Sequence, residues 1–398
     1  LKNEVIIEDT GVVLTGSSVE VRAVTPDVND PNSFQVQALA GAATGNNSIA
    51  GGIAVNYVDI QTDVDVGNNA ALTANSGDVV VKALSYNEVQ NLAGGAALSF
   101  KSGTGVGLAI AVNIFNNFDT KIDVGSNATL TANGGGSVSV TSDAKLLPKT
   151  DTLQLLDDGA DPDSDLDDLL TEVELPFTSF ASGIAAGNSG TAVGGSVNVN
   201  VVLMETKATI GYNATLDADD AVTVSATDIV EIFTGAGGLG LSLGNSGVGI
   251  GLDVNVITRD TLAQIGSRAD LIAGTGDILV KADSNDTVTS IAATFGASGG
   301  ATAVAASIGV VVFFTDTQAI VKNGGAADAN NTVLDAGGNV SVLAEGDADV
   351  FMLAGGVAFS LGGAGAGVSS TTLVHEDTVR AVVEGNAQLI TGGDVGLK

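Results

Sequence analysis

Residues 111–142, AVNIFNNFDTKIDVGSNATLTANGGGSVSVTS, hold a phrase that the rest of the chain respells. An acid-Thr pair is followed by alternating apolar residues and a Gly. A short Leu/Thr/Ala stretch, a Gly- or Asp-bearing turn and a Val-x-Val stretch complete it. The Val-x-Val stretch serves as a ruler. It starts at Ser18, Asp78, Ser137, Ala221, Asp277, Asn339 and Asp394, with successive spacings of 60, 59, 84, 56, 62 and 55 residues. Thr62, Thr120, Thr206, Thr261, Thr317 and Thr378 recur upstream as a second marker, after Asp119, Glu205, Asp260, Asp316 or Asp377 in five cases. Self-similarity at a fixed period is the signature of a repeat array, in which each unit buries its apolar face against its neighbours.

Each repeat of about 58 residues divides into three phrases. The first, ATLTA…SVSVTS, alternates strictly: Val138 and Val140 take one parity, Ser137 and Ser139 the other. That is the period of a half-buried strand. Its turns hold Asn75, Ser76 and Gly77, or Asn133 and Gly134 to Gly136, residues that tolerate positive φ; Asn127 and Asn213 also belong in turns. The second phrase is built from small residues, as in VQNLAGGAALSF at 89–100. Phe34, Phe180, Phe233 and Phe351 open it, and in equivalent positions their rings would stack as a ladder. The third, such as VGLAIAVNIF at 106–115, is β-branched and nearly uncharged.

These periods predict an all-β parallel solenoid, with strands stacked about 4.8 Å apart. Counting each phrase as its own rung gives roughly 19 coils and a rod on the order of 90 Å. A stacked array of antiparallel hairpins, with the second and third phrases joined by KSGTG-type loops, is the competing geometry. The expected organisation is 1–144 repeats, 145–176 insertion and 177–398 repeats, as one continuous segment of a longer repetitive protein. The insertion is acidic. Ser164 and Asp167 form a capping box, and Leu166, Leu169, Leu170 and Val173 follow helical spacing, which predicts a short amphipathic helix.

Charge narrows the function. Fourteen Lys and Arg face 46 Asp and Glu, a net charge of −32, so nucleic acid is a poor partner. Mean hydropathy is nonetheless +0.36, unlike a disordered acidic tail. The uncharged runs, including 287–315, are interrupted by Gly and Ser and β-branched, so membrane insertion is not expected. There is no Cys, hence no disulfide or thiolate site. The alternating Asp161, Asp163, Asp165 and Asp167 supply hard oxygen ligands, and structural calcium is the one cofactor they suggest; the reading as a solvated acidic loop stands beside it. The acid-Thr pairs read as a repeated turn device whose stacked carboxylates are solvated or bridged by cations. His375 is the only His and reads as an exposed loop residue. No convergent acid-base set emerges, so no catalytic residue is nominated and the chain is not expected to be an enzyme.

The phrase AVNxxxxxxT…IG…ATLTA…GGDVxVxA resembles the repeats of giant Gram-negative surface proteins, the filamentous-haemagglutinin-like and leukotoxin-like repeat adhesins. The resemblance spans the chain except 145–174. It implies an exported, elongated solenoid at the cell surface that mediates attachment. The expected partners are adjacent repeats or other copies end to end, and a neighbouring cell surface or polysaccharide. A head-to-tail extracellular filament and a carbohydrate-binding or carbohydrate-cleaving β-helix are the alternatives.

Overall fold

The structure, a computed structural model, describes residues 1–9, 11–25, 31–149, 151–152, 174–175, 177–324 and 331–398. Every regular element among them is a strand, so none is a helix able to cross a membrane. Three parallel sheets run the length of the stack. A front sheet of seven strands includes Ser48–Val66, Gly105–Val124, Ala192–Ile210, Gly247–Ile265, Ala303–Val321 and Gly365–Val383. A back sheet includes Val79–Ser99, Val222–Ser242, Ile278–Ser298 and Val340–Ser360. A side sheet has seven four-residue strands or their equivalents, such as Ala71–Ala74 and Thr129–Ala132. The chain passes back, front, side, and then one rung up.

The Val-x-Val ruler holds residue by residue. Val19, Val79, Val138, Val222, Ile278, Val340 and Val395 form one column of the back sheet. Seven leucines, Leu14, Leu72, Leu130, Leu216, Leu271, Leu334 and Leu389, form one column of the side sheet. The parallel solenoid is therefore correct, and the hairpin array is not: Val89–Ser99 and Gly105–Phe115 lie in different sheets and pair with the adjacent coils. The one antiparallel pair among the described residues joins Asp151–Thr152 to Glu174–Leu175.

The expected 19 coils and 90 Å rod are overturned. One whole 58-residue repeat makes one coil, because strands of 19 to 21 residues carry two phrases each without turning. Seven rungs span about 30 Å along the axis, while a 20-residue strand runs about 65 Å across it. The segment is a broad, short slab.

The cross-section is a wedge. At the thick end three sheets enclose Val, Leu, Ile and Ala, including Val66, Leu72, Val79, Ile122 and Leu216. The middle holds larger groups, among them Phe115, Phe118, Met204, Ile232 and Phe313. At the thin edge only Ala remains in the cluster, with Ala54, Ala93, Ala109, Ala111 and Ala181, and the sheets approach to backbone contact. A Cβ on Gly95 would lie 2.1 Å from the Leu108 carbonyl oxygen, and one on Gly238 2.3 Å from that of Ile250. The small-residue phrase exists because these positions face another backbone.

The insertion interrupts a single back-sheet strand. Pro148 still pairs with Val89, and Ser179 resumes opposite Asn91. Residues 145–148 thus belong to the ladder, and the boundary expected at 145 moves to 149. The helix expected from Ser164 to Val173 lies outside the described residues.

Candidate functional site

The front sheet carries the acid-Thr pairs in mid-strand, not at turns. Thr62, Thr120, Thr206, Thr261 and Thr317 form one column, all fully buried. The preceding acids consequently face outward, since neighbours on a strand point to opposite faces. Asp119, Glu205, Asp260 and Asp316 stack outside. Lysine separates them: Lys121 bridges Asp119 (2.9 Å) and Glu205, and Lys207 bridges Glu205 and Asp260 (2.8 Å). Partial burial pushes the Glu205 carboxyl up, but hydrogen bonds from Lys121 and Lys207 outweigh it and hold it below its ordinary value. Three of the stacked acids are thus bridged by side-chain ammonium groups, while Asp316 accepts from the Gln318 amide. The last strand breaks this phase: Thr315 pairs with Asp377 and Thr317 with Val379, so Thr378 leaves the threonine column.

Inside the thinner half, a polar ladder runs along the axis. Asn56, Asn113, Asn200 and Asn255 stack in register. Asn91 Nδ2 donates to Asn113 Oδ1 (3.0 Å), Asn113 to Asn200 (2.8 Å) and Asn200 to Asn255 (2.9 Å). Asp253 receives bonds from Asn198 (2.7 Å), Thr234 (2.7 Å), Asn255 (3.1 Å) and Ser290 (2.5 Å). Burial nevertheless pushes its carboxyl above the ordinary range, with those four donors opposing.

One coil-spanning charge cluster is also buried. Arg259 reaches from the front sheet to Asp228 and Asp286 on the back sheet, and all three are almost wholly inaccessible. Thr261 donates to Asp228 as well. Among the described residues Asp286 Oδ1 and Arg259 Nε have no hydrogen-bond partner. Desolvation raises the Asp286 carboxyl to about 8 against the pull of Arg259, with Asp228 and Asp377 adding to the rise. Two carboxylates against one guanidinium leave surplus negative charge in a medium that penalises it.

The Asn ladder, Asp253 and the Arg259 cluster are sealed from solvent, whereas the outward carboxylates and lysines are partly exposed and already paired with one another. Among the described residues no three metal-binding side chains come together. Asp161, Asp163, Asp165 and Asp167, the expected calcium ligands, lie outside the described residues. His375 is not in a loop: it sits in the Gly365–Val383 strand opposite Phe313, ring centroids 5.7 Å apart, edge to face. The phenylalanines form no ladder. Phe34 stands in the column of Val89, whereas Phe180 stands in that of Leu92 and Gly235 on the other face. Phe177 packs instead on Phe180 and Phe233 at 4.9 and 4.5 Å, beside an apolar groove of about 500 Å³ that Leu39, Leu92 and Ile184 also line.

Sequence reasoning missed Arg259, Asp228, Asp286 and Asp253. The available signal was parity: Asp253 follows Ala54, Ala111 and Asn198 in one column, and Arg259 follows Met204. Asn127 and Asn213 do occupy turns, both at φ 56°, and Gly134 and Gly135 take positive φ, whereas Asn75, Ser76 and Gly77 turn without it. No protein-family model, curated protein or solved structure matches this chain.

Proposed function

We propose that this chain is a structural and adhesive segment of an exported bacterial surface protein, with the stacked repeats serving as scaffold and contact surface. The observation that carries the reading is the coil-on-coil register: Val/Ile and Leu columns run through all seven rungs, and Thr and Asn columns through most of the front sheet, with one bulge at Asn117. Such an array places hydrogen bonds along its axis and a repeated outer face along its side, which suits extension and many-point contact rather than turnover. The resemblance of the AVN…ATLTA…Val-x-Val phrase to giant surface adhesins supports the same reading.

Antibodies raised against the 398-residue chain test it on intact cells of the source organism. Surface labelling, together with weaker attachment when the encoding segment is deleted, is the expected result. Labelling only after permeabilisation, or unchanged attachment after deletion, overturns the proposal.

A further inference from the structure

The outer face of the front sheet, across the thin half of the wedge, is a flat field of aliphatic side chains. On the six rungs from Ser48–Val66 to Gly365–Val383 it comprises the outward residues of 49–57, 106–114, 193–201, 248–256, 304–312 and 366–374. These are overwhelmingly Val, Ile and Leu, and none is charged. One column is Val on five of the six rungs: Val55, Val112, Val199, Val254 and Val310 stand in register, with Thr372 on the last. The field lies open on its inner rungs too, with Leu108 45%, Ile250 47% and Ile308 46% exposed.

We propose that this face packs against the same face of a second copy of the chain, sheet on sheet. Its area carries the argument. Five outward positions on each of six strands cover about 800 Å² at ordinary strand spacing and rise, which matches what one partner contributes to a standard stable interface. A contiguous apolar patch of that size exceeds what soluble monomers commonly expose. The surroundings fit a pair of identical copies. The stacked Asp119, Lys121, Glu205, Lys207 and Asp260 border the field as a mixed-sign rim, the arrangement of apolar centre and polar edge seen in interfaces. Flat sheets with β-branched faces pack on one another about 10 Å apart. With net charge −32, two copies repel everywhere else, so an uncharged face is where they meet. This inference stands apart from the proposed surface role, since it concerns how copies associate wherever they reside.

Sedimentation of the 398-residue chain over a range of concentrations tests it. The expected species is a dimer of twice 39.1 kDa, and Val254→Lys at the centre of the field weakens association at least tenfold. Val254→Thr, which retains shape and strand preference, weakens it less and guards against a folding defect; circular dichroism checks both. The chain has no Cys, so Val254→Cys with a thiol cross-linker should yield a covalent dimer, while Thr223→Cys on the back sheet should not. A monomer at every concentration overturns the proposal, as does a dimer indifferent to Val254→Lys. Flotation of the protein as a monomer on zwitterionic lipid vesicles, lost in Val254→Lys, assigns the face to lipid and equally overturns it.

Discussion

Gly238 and Asp286 show what single residues do inside this wedge. The absent side chain of Gly238 is filled by the Ile250 backbone of the opposite sheet, whose N and O stand 2.5 and 2.3 Å from a would-be Cβ. Backbone cannot yield as a side-chain tip does. Gly238→Ala should therefore destabilise by about 1–3 kcal/mol or more, measured by chemical denaturation, whereas Gly355→Ala, which meets nothing within 4 Å, should be close to neutral. Asp286 is a case of charge. Its folded pKa of about 8 lies above the ordinary unfolded value near 3.9. The folded state then binds the extra proton between those limits, so stability is greatest below about pH 4, falls as pH rises towards about 8, and is flat beyond. Asp286→Asn removes the ionisation, and the fall in melting temperature between pH 5 and pH 8 should shrink. A slope equal to that of the unsubstituted chain would show that Asp286 does not carry it.

At the scale of elements, strand continuity matters more than loop content. The back-sheet strand broken after Pro148 regains its ladder at Ser179, and both halves pair with Val222–Ser242 on the next rung. Only Gln90 separates their partners Val89 and Asn91 on the rung below. Replacing residues 149–178 by a single Ser should accordingly restore one continuous strand. Far-ultraviolet circular dichroism and cooperative melting are expected to survive; loss of the β spectrum would show that the insertion holds the two halves together. The last front-sheet strand teaches a complementary point. A slip of one residue turned Asp377 to the threonine-bearing Thr315 column and Thr378 out beside Asp316, because one step along a strand exchanges its faces. A motif match alone does not report that exchange.

Across the whole molecule, surplus negative charge opposes an apolar slab. Self-repulsion at −32 is long-ranged and screened by salt, while the short Lys121 and Lys207 bridges between neighbouring columns lose less. Raising NaCl from about 0.02 to about 0.5 M should raise the melting temperature by several degrees in scanning calorimetry, since the Debye length contracts several-fold over that range. A fall would mean that the surface ion pairs outweigh the net repulsion.

The repeat period, the parallel stacking and the Asn127 and Asn213 turns were legible from the residues alone, because a parallel in-register ladder places like on like and so writes itself as recurrence. Val79 above Val19 and Leu130 above Leu72 are the same fact seen in the chain and in space. Coil closure was decided only in three dimensions. The stretch 106–114 puts Val, Leu and Ile on one parity and Gly, Ala and Asn113 on the other, and the smaller, more polar set is the one that turns inward, so local hydrophobicity marks neither the buried face nor that a strand should run 20 residues before turning. The meeting of Arg259 with Asp228 and Asp286 required two sheets to be folded face to face, across 31 and 27 residues of chain. Recurrence is a property of neighbours along the axis; burial depends on what the opposite sheet brings.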